Sequence, residues 1–238
     1  MRGRLPAIPR RLVNKSTSSL MRILVINPNT TAAMTAHVAG QLRTHLDKGT
    51  AVLEQTATSG TPVIATQSAF DAGAQAVLAC LRNAQSEGQL FDQVLLACFG
   101  DPGLEDLRLR SALPVTGLAQ ACMRSAEHSG LPYAIVTAGA EWKAILNHRF
   151  TQWGASELFC GTQVIRGTGL DIFSDPLGVL PAVLEGIDAA RKGGAQRIIL
   201  GGAVFAGYKT LMERSSTSTH GLIDCVECAA VALLQQSR

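Results

Sequence analysis

Cys98 closes the run Val94-Leu95-Leu96-Ala97 and is followed by Phe99-Gly100-Asp101-Pro102-Gly103. Four apolar residues with no polar face read as a short buried strand of a parallel sheet, and the Gly/Asp/Pro cluster after them turns the chain. Ligands of open α/β sheets lie outside the carboxyl ends of the strands, where loops present backbone N–H groups. A thiol there is placed to take or give a proton, whereas a cysteine inside a helix behaves as a small hydrophobe. The chemical reading is favoured by the two nearby glycines and by a similar strand end at Ile198-Ile199-Leu200-Gly201-Gly202.

A free cysteine titrates near ~8.5, so Cys98 needs tuning to accept a proton at neutral pH. The N–H groups of Phe99 and Gly100, with the helix after them, are expected to lower its pKa and to hold the oxygen of an enolate-like intermediate. On the facing side the amides of Gly202, Ala203 and Val204 are expected to do the same. Asn29, Thr30 and Thr137 complete a polar rim, although turn and helix-cap chemistry alone also accounts for them. Asp101 reads as a helix cap or loop turn.

The other candidates are weaker. Cys225 and Cys228 form a Cys-x-x-Cys on an apolar helix, with no second pair at zinc spacing, so no metal is expected and core packing is the reading. Cys80 and Cys122 fall in Ala/Leu-rich helices, while Cys160 reaches a cleft only if its segment lines one. A cysteine hydrolase needs a histidine base, and none of the five histidines sits at a strand end. No phosphate loop or dinucleotide fingerprint is present, so no cofactor is expected.

Elements that position these residues follow from apolar periodicity and breakers. Strands are predicted at 23–26, 52–55, 94–98, 133–137, 163–165 and 197–200, with Pro114–Gly117 an edge or loop. Helices are predicted from Thr30 or Thr31 to Leu46, and over 66–88, 104–112, 118–129, 141–153, 175–192 and 222–235. The stretch 94–98 matches 198–202 and the stretch 23–30 matches 133–140, at offsets of 104 and about 110 residues. This repeat implies two pseudo-symmetric α/β lobes with parallel sheets and a cleft between their strand ends. Residues 21–117 plus 217–238 form lobe 1, and 118–216 form lobe 2.

Hydrophobic residues make up 47% of the 238 and aromatics only 5%, so the core is aliphatic, as when helices pack on parallel strands. Apolar runs long enough for a membrane span are lacking, and six dispersed cysteines suggest reduced thiols, so a cytoplasmic protein is expected. The formal charge of +3 is an effect of the first 20 residues. They carry Arg2, Arg4, Arg10, Arg11 and Lys15 and no acid, which leaves 16 of the 21 basic residues against all 18 acidic ones in the rest. Nucleic acid is therefore not an expected partner. Residues 1–20 read as a disordered basic extension ahead of a natural start at Met21, with a transit peptide or anion-binding arm as alternatives.

Met-Arg-Ile-Leu-Val-Ile-Asn-Pro-Asn-Thr-Thr from Met21, Ala-Cys-Phe-Gly-Asp-Pro-Gly-Leu from Ala97 and Ile-Leu-Gly-Gly-Ala-Val-Phe-Ala-Gly from Ile199 resemble the hydantoin racemase family, which includes allantoin racemases, of the aspartate/glutamate racemase superfamily. The resemblance implies two flavodoxin-like lobes, no cofactor, a homo-oligomer, and a small hydantoin, allantoin or related ureide as substrate. It also implies that two cysteines, on opposite sides of the ligand, move the α-proton. Cys98 matches the first. The second stands in Leu-Gly-Cys-Ala-Gly, and Gly202 occupies that position here. One thiol cannot reach both faces of a carbon, so three readings follow. A single thiol works alone as a decarboxylase or isomerase, as in arylmalonate decarboxylases; a nearby group such as Cys160 replaces the second; or the protein binds without turnover.

Overall fold

The computed structural model describes residues 21–236. The expectations for residues 1–20 lie outside this range. Lobe 1 opens with β1 (Arg22–Asn27), α1 (Ala32–Thr44), β2 (Ala51–Thr56) and α2 (Gln67–Ser86). It continues through β3 (Gln93–Leu96), α3 (Leu104–Arg110) and β4 (Val115–Gly117), after which α4 (Leu118–His128) packs into the core between the lobes. The second half repeats the plan with β5 (Tyr133–Ala138), α5 (Trp142–Gln152), β6 (Phe159–Ile165), α6 (Gly169–Ser174) and α7 (Pro176–Lys192). It ends with β7 (Arg197–Leu200), a 3₁₀ turn (Ala203–Phe205), α8 (Tyr208–Arg214), β8 (Leu222–Ile223) and α9 (Cys225–Gln236). Among these residues, no helix is long and apolar enough to cross a membrane.

Two four-stranded sheets share one order, β2-β1-β3-β4 and β6-β5-β7-β8, and every pairing is parallel. Both faces of each central strand are buried, which explains their unbroken apolar runs. Along β1, Ile23 and Val25 face a core shared by the two lobes, while Leu24 and Ile26 face the outer core of lobe 1. The shared core also takes Leu118 from α4, Tyr133 and Ile135 from β5, Phe150 from α5 and Leu233 from α9.

Three departures from the sequence reading have local causes. Residues 222–235 divide into β8 and α9, because Asp224 accepts the amides of Val226 (2.8 Å) and Glu227 (3.1 Å) and so starts a helix after a buried Leu-Ile pair. The chain consequently returns to lobe 1 later than residue 217: β8 pairs with β7, and only α9 lies against the first sheet, where the Gln93 side chain donates to Leu233 O. Helices α6 and α8, of 6 and 7 residues, are too short to show a period. A capping box between Thr168 and Asp171 starts α6.

Phe150 sits fully buried beside Phe159 and Trp153, at ring distances of 5.0 and 5.8 Å. Phe150→Ala should lower stability by about 3–5 kcal/mol in urea unfolding. A loss below 1 kcal/mol would mean the shared core is not closed here.

Candidate active site

Cys98 lies two residues past the end of β3, with 7% of its surface exposed. Its loop is a tight turn in which the Asp101 N–H donates to Cys98 O at 3.1 Å. Gly100 has φ +95° and Asp101 φ +55°, a left-handed conformation unusual for a residue with a side chain. What holds Asp101 there is α4. The fully buried carboxylate accepts the N–H groups of Ala119 (3.1 Å) and Gln120 (2.8 Å), two of the donors that a helix start leaves unpaired. Gly117 is required at this approach, since a Cβ there would overlap the carboxylate.

Lobe 2 grips the same turn. Arg149 of α5 donates to Gly100 O (3.2 Å) and Asp101 O (3.4 Å), while both oxygens of Glu105 accept from it. Its guanidinium also lies 4.5 Å from the ring centre of Trp153, so its orientation is fixed from several sides.

The facing strand end has matching backbone geometry. Gly201 N donates to Val136 O at 2.8 Å just as Ala97 N donates to Ile26 O at 2.8 Å, which makes Gly202 the counterpart of Cys98. Asp224 plays a part like that of Asp101, capping α9 while accepting Gly207 N at 3.2 Å. Gly201 itself is packed against Ile135 and Phe99 too tightly for a Cβ.

Between the two strand ends lies a cavity of about 90 Å³. Its wall contains Cys98, Phe99, Asn29 and Thr137 together with Gly202, Ala203 and Val204. Thr30 and Gly100 are not part of it. The Thr30 N–H is turned to Thr61 O (3.1 Å), and the Gly100 carbonyl is turned to Arg149. Two polar members are already engaged. The Thr137 hydroxyl donates to Gly201 O at 2.6 Å, while Asn29 Oδ1 accepts from the Asn27 side chain and the Thr31 N–H, both at 2.9 Å. Thr31 precedes α1 without capping it by its side chain, and its hydroxyl donates to Pro62 O instead.

Several wall residues gave no sequence signal: Met34, Val63, Ile64, Trp142, Thr168 and Ile172. Most are apolar and come from loops and helix starts around the cleft. Val63 and Ile64 belong to the loop after β2, whose Gly-Thr-Pro was legible only as a loop.

The thiol is not tuned as expected. Burial, and secondarily the negative charge of Asp101, push Cys98 well above the ordinary cysteine range. The thiol points towards Phe99 O at 3.7 Å, a contact that favours the protonated form. Cys160 does not replace the missing sulfur: it is exposed near the amino end of β6, away from the cleft, with its sulfur 3.6 Å from Leu158 O.

A family model described as Asp/Glu/Hydantoin racemase matches residues 23–233. The chain belongs to that family. It is 30% identical over 201 residues to a hydantoin racemase of Rhizobium meliloti, covering 84% of this chain and 81% of that one. A hydantoin racemase of Paenarthrobacter aurescens is 27% identical over 191 residues, covering 79% and 80%. Among solved structures, an allantoin racemase from Pseudomonas fluorescens superposes with a TM-score of 0.82 at 26% identity over 92% of this chain and 91% of that one. A glutamate racemase of Bacillus anthracis, at 13% identity and TM-score 0.65 over 90% and 80%, shares the fold.

Burial raises the Asp101 carboxyl to about 7, against the Gln120 and Ala119 amides and the charges of Arg149 and Arg108. Because this lies above the ~3.9 of an unfolded aspartate, the stability it contributes is complete below about pH 4 and is lost as pH rises through about 7. The stability margin of the wild type over Asp101→Asn in urea unfolding should therefore narrow from about pH 5 to about pH 8. A margin that widened over that range would contradict the buried position.

Proposed function

We propose that this protein is a cofactor-independent enzyme of the hydantoin racemase type, in which Cys98 moves the proton on the carbon next to a carbonyl of a small cyclic ureide. The observation that carries this reading is the pairing of Cys98 and the Gly202 turn across one cavity, in a chain that belongs to the family. The backbone N–H groups of Phe99, Ala203 and Val204, which belong to wall residues, are the proposed partners of the oxygen that gains charge as the proton leaves.

The cavity wall bears on the substrate. Met34, Val63, Ile64, Trp142, Ile172 and Phe205 favour an apolar substituent, and the Thr137 hydroxyl is already bonded within the protein, while the Asn29 side-chain N–H, with only the Met34 sulfur at 3.8 Å, is left to meet a polar atom of the ring. A hydantoin with an alkyl or aryl group suits this wall better than allantoin, whose ureido arm needs several polar partners.

Gly202 supports a second reading on the same site. A thiol held protonated by burial is a better acid than base at neutral pH, and it faces only one side of the bound carbon. Loss of carbon dioxide from a substituted malonate-like acid leaves a carbanion that needs one proton from one face. One cysteine is then sufficient, and no second group is required.

Both readings make Cys98→Ser lose activity, by about 10²–10⁴-fold. Retention of full rate would remove Cys98 from the chemistry. Gly202→Cys separates the two readings. Gly202 has an extended φ of 172°, and a Cβ there lies 3.1 Å from Phe205 and 3.4 Å from Val204, so a small shift of those side chains admits it. If the cleft is a racemase site short of one sulfur, the variant should racemise 5-substituted hydantoins faster in polarimetry. A folded variant with no gain would favour the one-sided chemistry.

A further inference from the structure

Away from the cleft, α4 and α9 cross between the lobes, α4 reaching β7 of lobe 2 and α9 reaching β3 and β4 of lobe 1. Between them lies a second cavity of about 580 Å³, which shares no residue with the Cys98 site. Its wall follows the internal repeat. Gln120, Arg124 and His128 of α4 line it, and so do Glu227, Val231 and Gln235 of α9, each 107 residues after its counterpart. Steps of four residues keep each trio on one face of its helix. The cavity thus lies between equivalent faces of the two halves, with the volume of a small-molecule site.

Its charges do not follow the repeat. Four cationic side chains line the wall, Arg108, Arg124, Arg197 and Lys209, against two acidic ones, Asp224 and Glu227. Both acids are already engaged. Glu227 is paired with Lys209 at 2.9 Å, and Asp224 accepts the N–H groups of Gly207, Val226 and Glu227. Among the described residues, none of the three arginines is ion-paired to a carboxylate. Arg108 donates to neutral oxygens instead, Val115 O at 3.1 Å and Gln120 Oε1 at 2.8 Å. Gln120 and Arg124 are one turn apart, so this bond draws Arg108 to the part of α4 that carries a second guanidinium. Burial, and then the like charge of Arg124, lower Arg108 from its ordinary value. The Nε of Arg197 is buried without a hydrogen-bond partner, which is costly for a charged group.

We propose that this cavity is a second binding site, for a small-molecule anion that carries more than one carboxylate or phosphate group and is held by Arg108, Arg124 and Arg197. The planar fork of a guanidinium takes two oxygens of either group, so the two classes share one recognition chemistry. A polyanion spans arginines on three separate elements, α3, α4 and β7, where a single small ion does not. Val231, 51% exposed on the α9 side of the wall, offers an apolar surface to the carbon skeleton of such a ligand. This site is independent of the chemistry at Cys98, whose own cavity is lined by no Asp, Glu, Lys or Arg among the described residues.

Titration calorimetry of the full chain at low ionic strength tests this with two probes, citrate for the carboxylate class and inorganic pyrophosphate for the phosphate class. At least one should bind saturably at one site per chain, and the tighter of the two names the class. Arg124→Gln, at an exposed position of α4, should weaken that binding by about 10–100-fold, the loss of one charge-assisted hydrogen bond. Ser125→Glu, which adds a negative charge to the wall, should weaken it at least as much while the fold, followed by circular dichroism, is kept. Arg82→Gln removes an exposed arginine that lines neither cavity and should bind as the wild type does. The proposal would be overturned if neither probe bound saturably, if Arg82→Gln lost as much as Arg124→Gln, or if folded Ser125→Glu bound undiminished. It would equally be overturned if Ser125→Glu changed the mass in light scattering while neither anion bound, because a second copy of the chain would then fill the cavity.

Discussion

The contact on which the site depends is the buried carboxylate of Asp101 against the first amides of α4. Leaving buried donors unpaired costs about 1–3 kcal/mol each, so the turn that carries Cys98 cannot relax without exposing two N–H groups at once. Arg149 adds a second restraint from the other lobe, through the carbonyls of Gly100 and Asp101. The sulfur is therefore held by a polar framework behind it, while nearly everything in front of it is apolar wall. The same framework sets its chemistry: the charge that fixes the turn also opposes ionisation of the thiol.

Duplication explains the architecture and its asymmetry. The two sheets repeat order and direction, and the backbone at Ala97 and Gly201 makes the same bond to the neighbouring strand. Aspartates tie each loop to a helix start, though from opposite ends of the connection, Asp101 before α4 and Asp224 at the root of α9. Against this common frame one strand end carries a sulfur and the other carries nothing beyond Cα. A binding cleft survives that loss because its oxygen-binding groups are main-chain amides. A symmetric pair of proton donors does not.

Much of this was legible in the sequence because parallel strands buried on both faces are unbroken apolar runs, and because glycine and proline mark where they stop. The positions of Cys98, Gly202, Ala203 and Val204 on one cavity follow from strand ends and the internal repeat alone. Thr30 and Gly100 lie off the cavity wall, since lying beside a cleft in sequence does not say which way a backbone group turns. Trp142, Met34 and Ile64 were missed since an apolar residue at a cleft looks like any core residue. The partner of Asp101 lies 18 residues further on, at Ala119, so only the folded chain reveals which helix it caps. Burial works against the expected activation of the thiol, and counting amides near a sulfur takes no account of the solvent it has lost.

The central claim is that proton transfer takes place at the Cys98 face and that the Gly202 face supplies no side-chain acid. The most direct measurement starts from each pure enantiomer of a 5-substituted hydantoin in deuterated water, following deuterium at the α-carbon by NMR and configuration by chiral chromatography. The account predicts that one enantiomer takes up deuterium with retention well ahead of any inversion. Inversion keeping pace with exchange from both enantiomers would contradict it, because a second proton donor would then be at work opposite the sulfur.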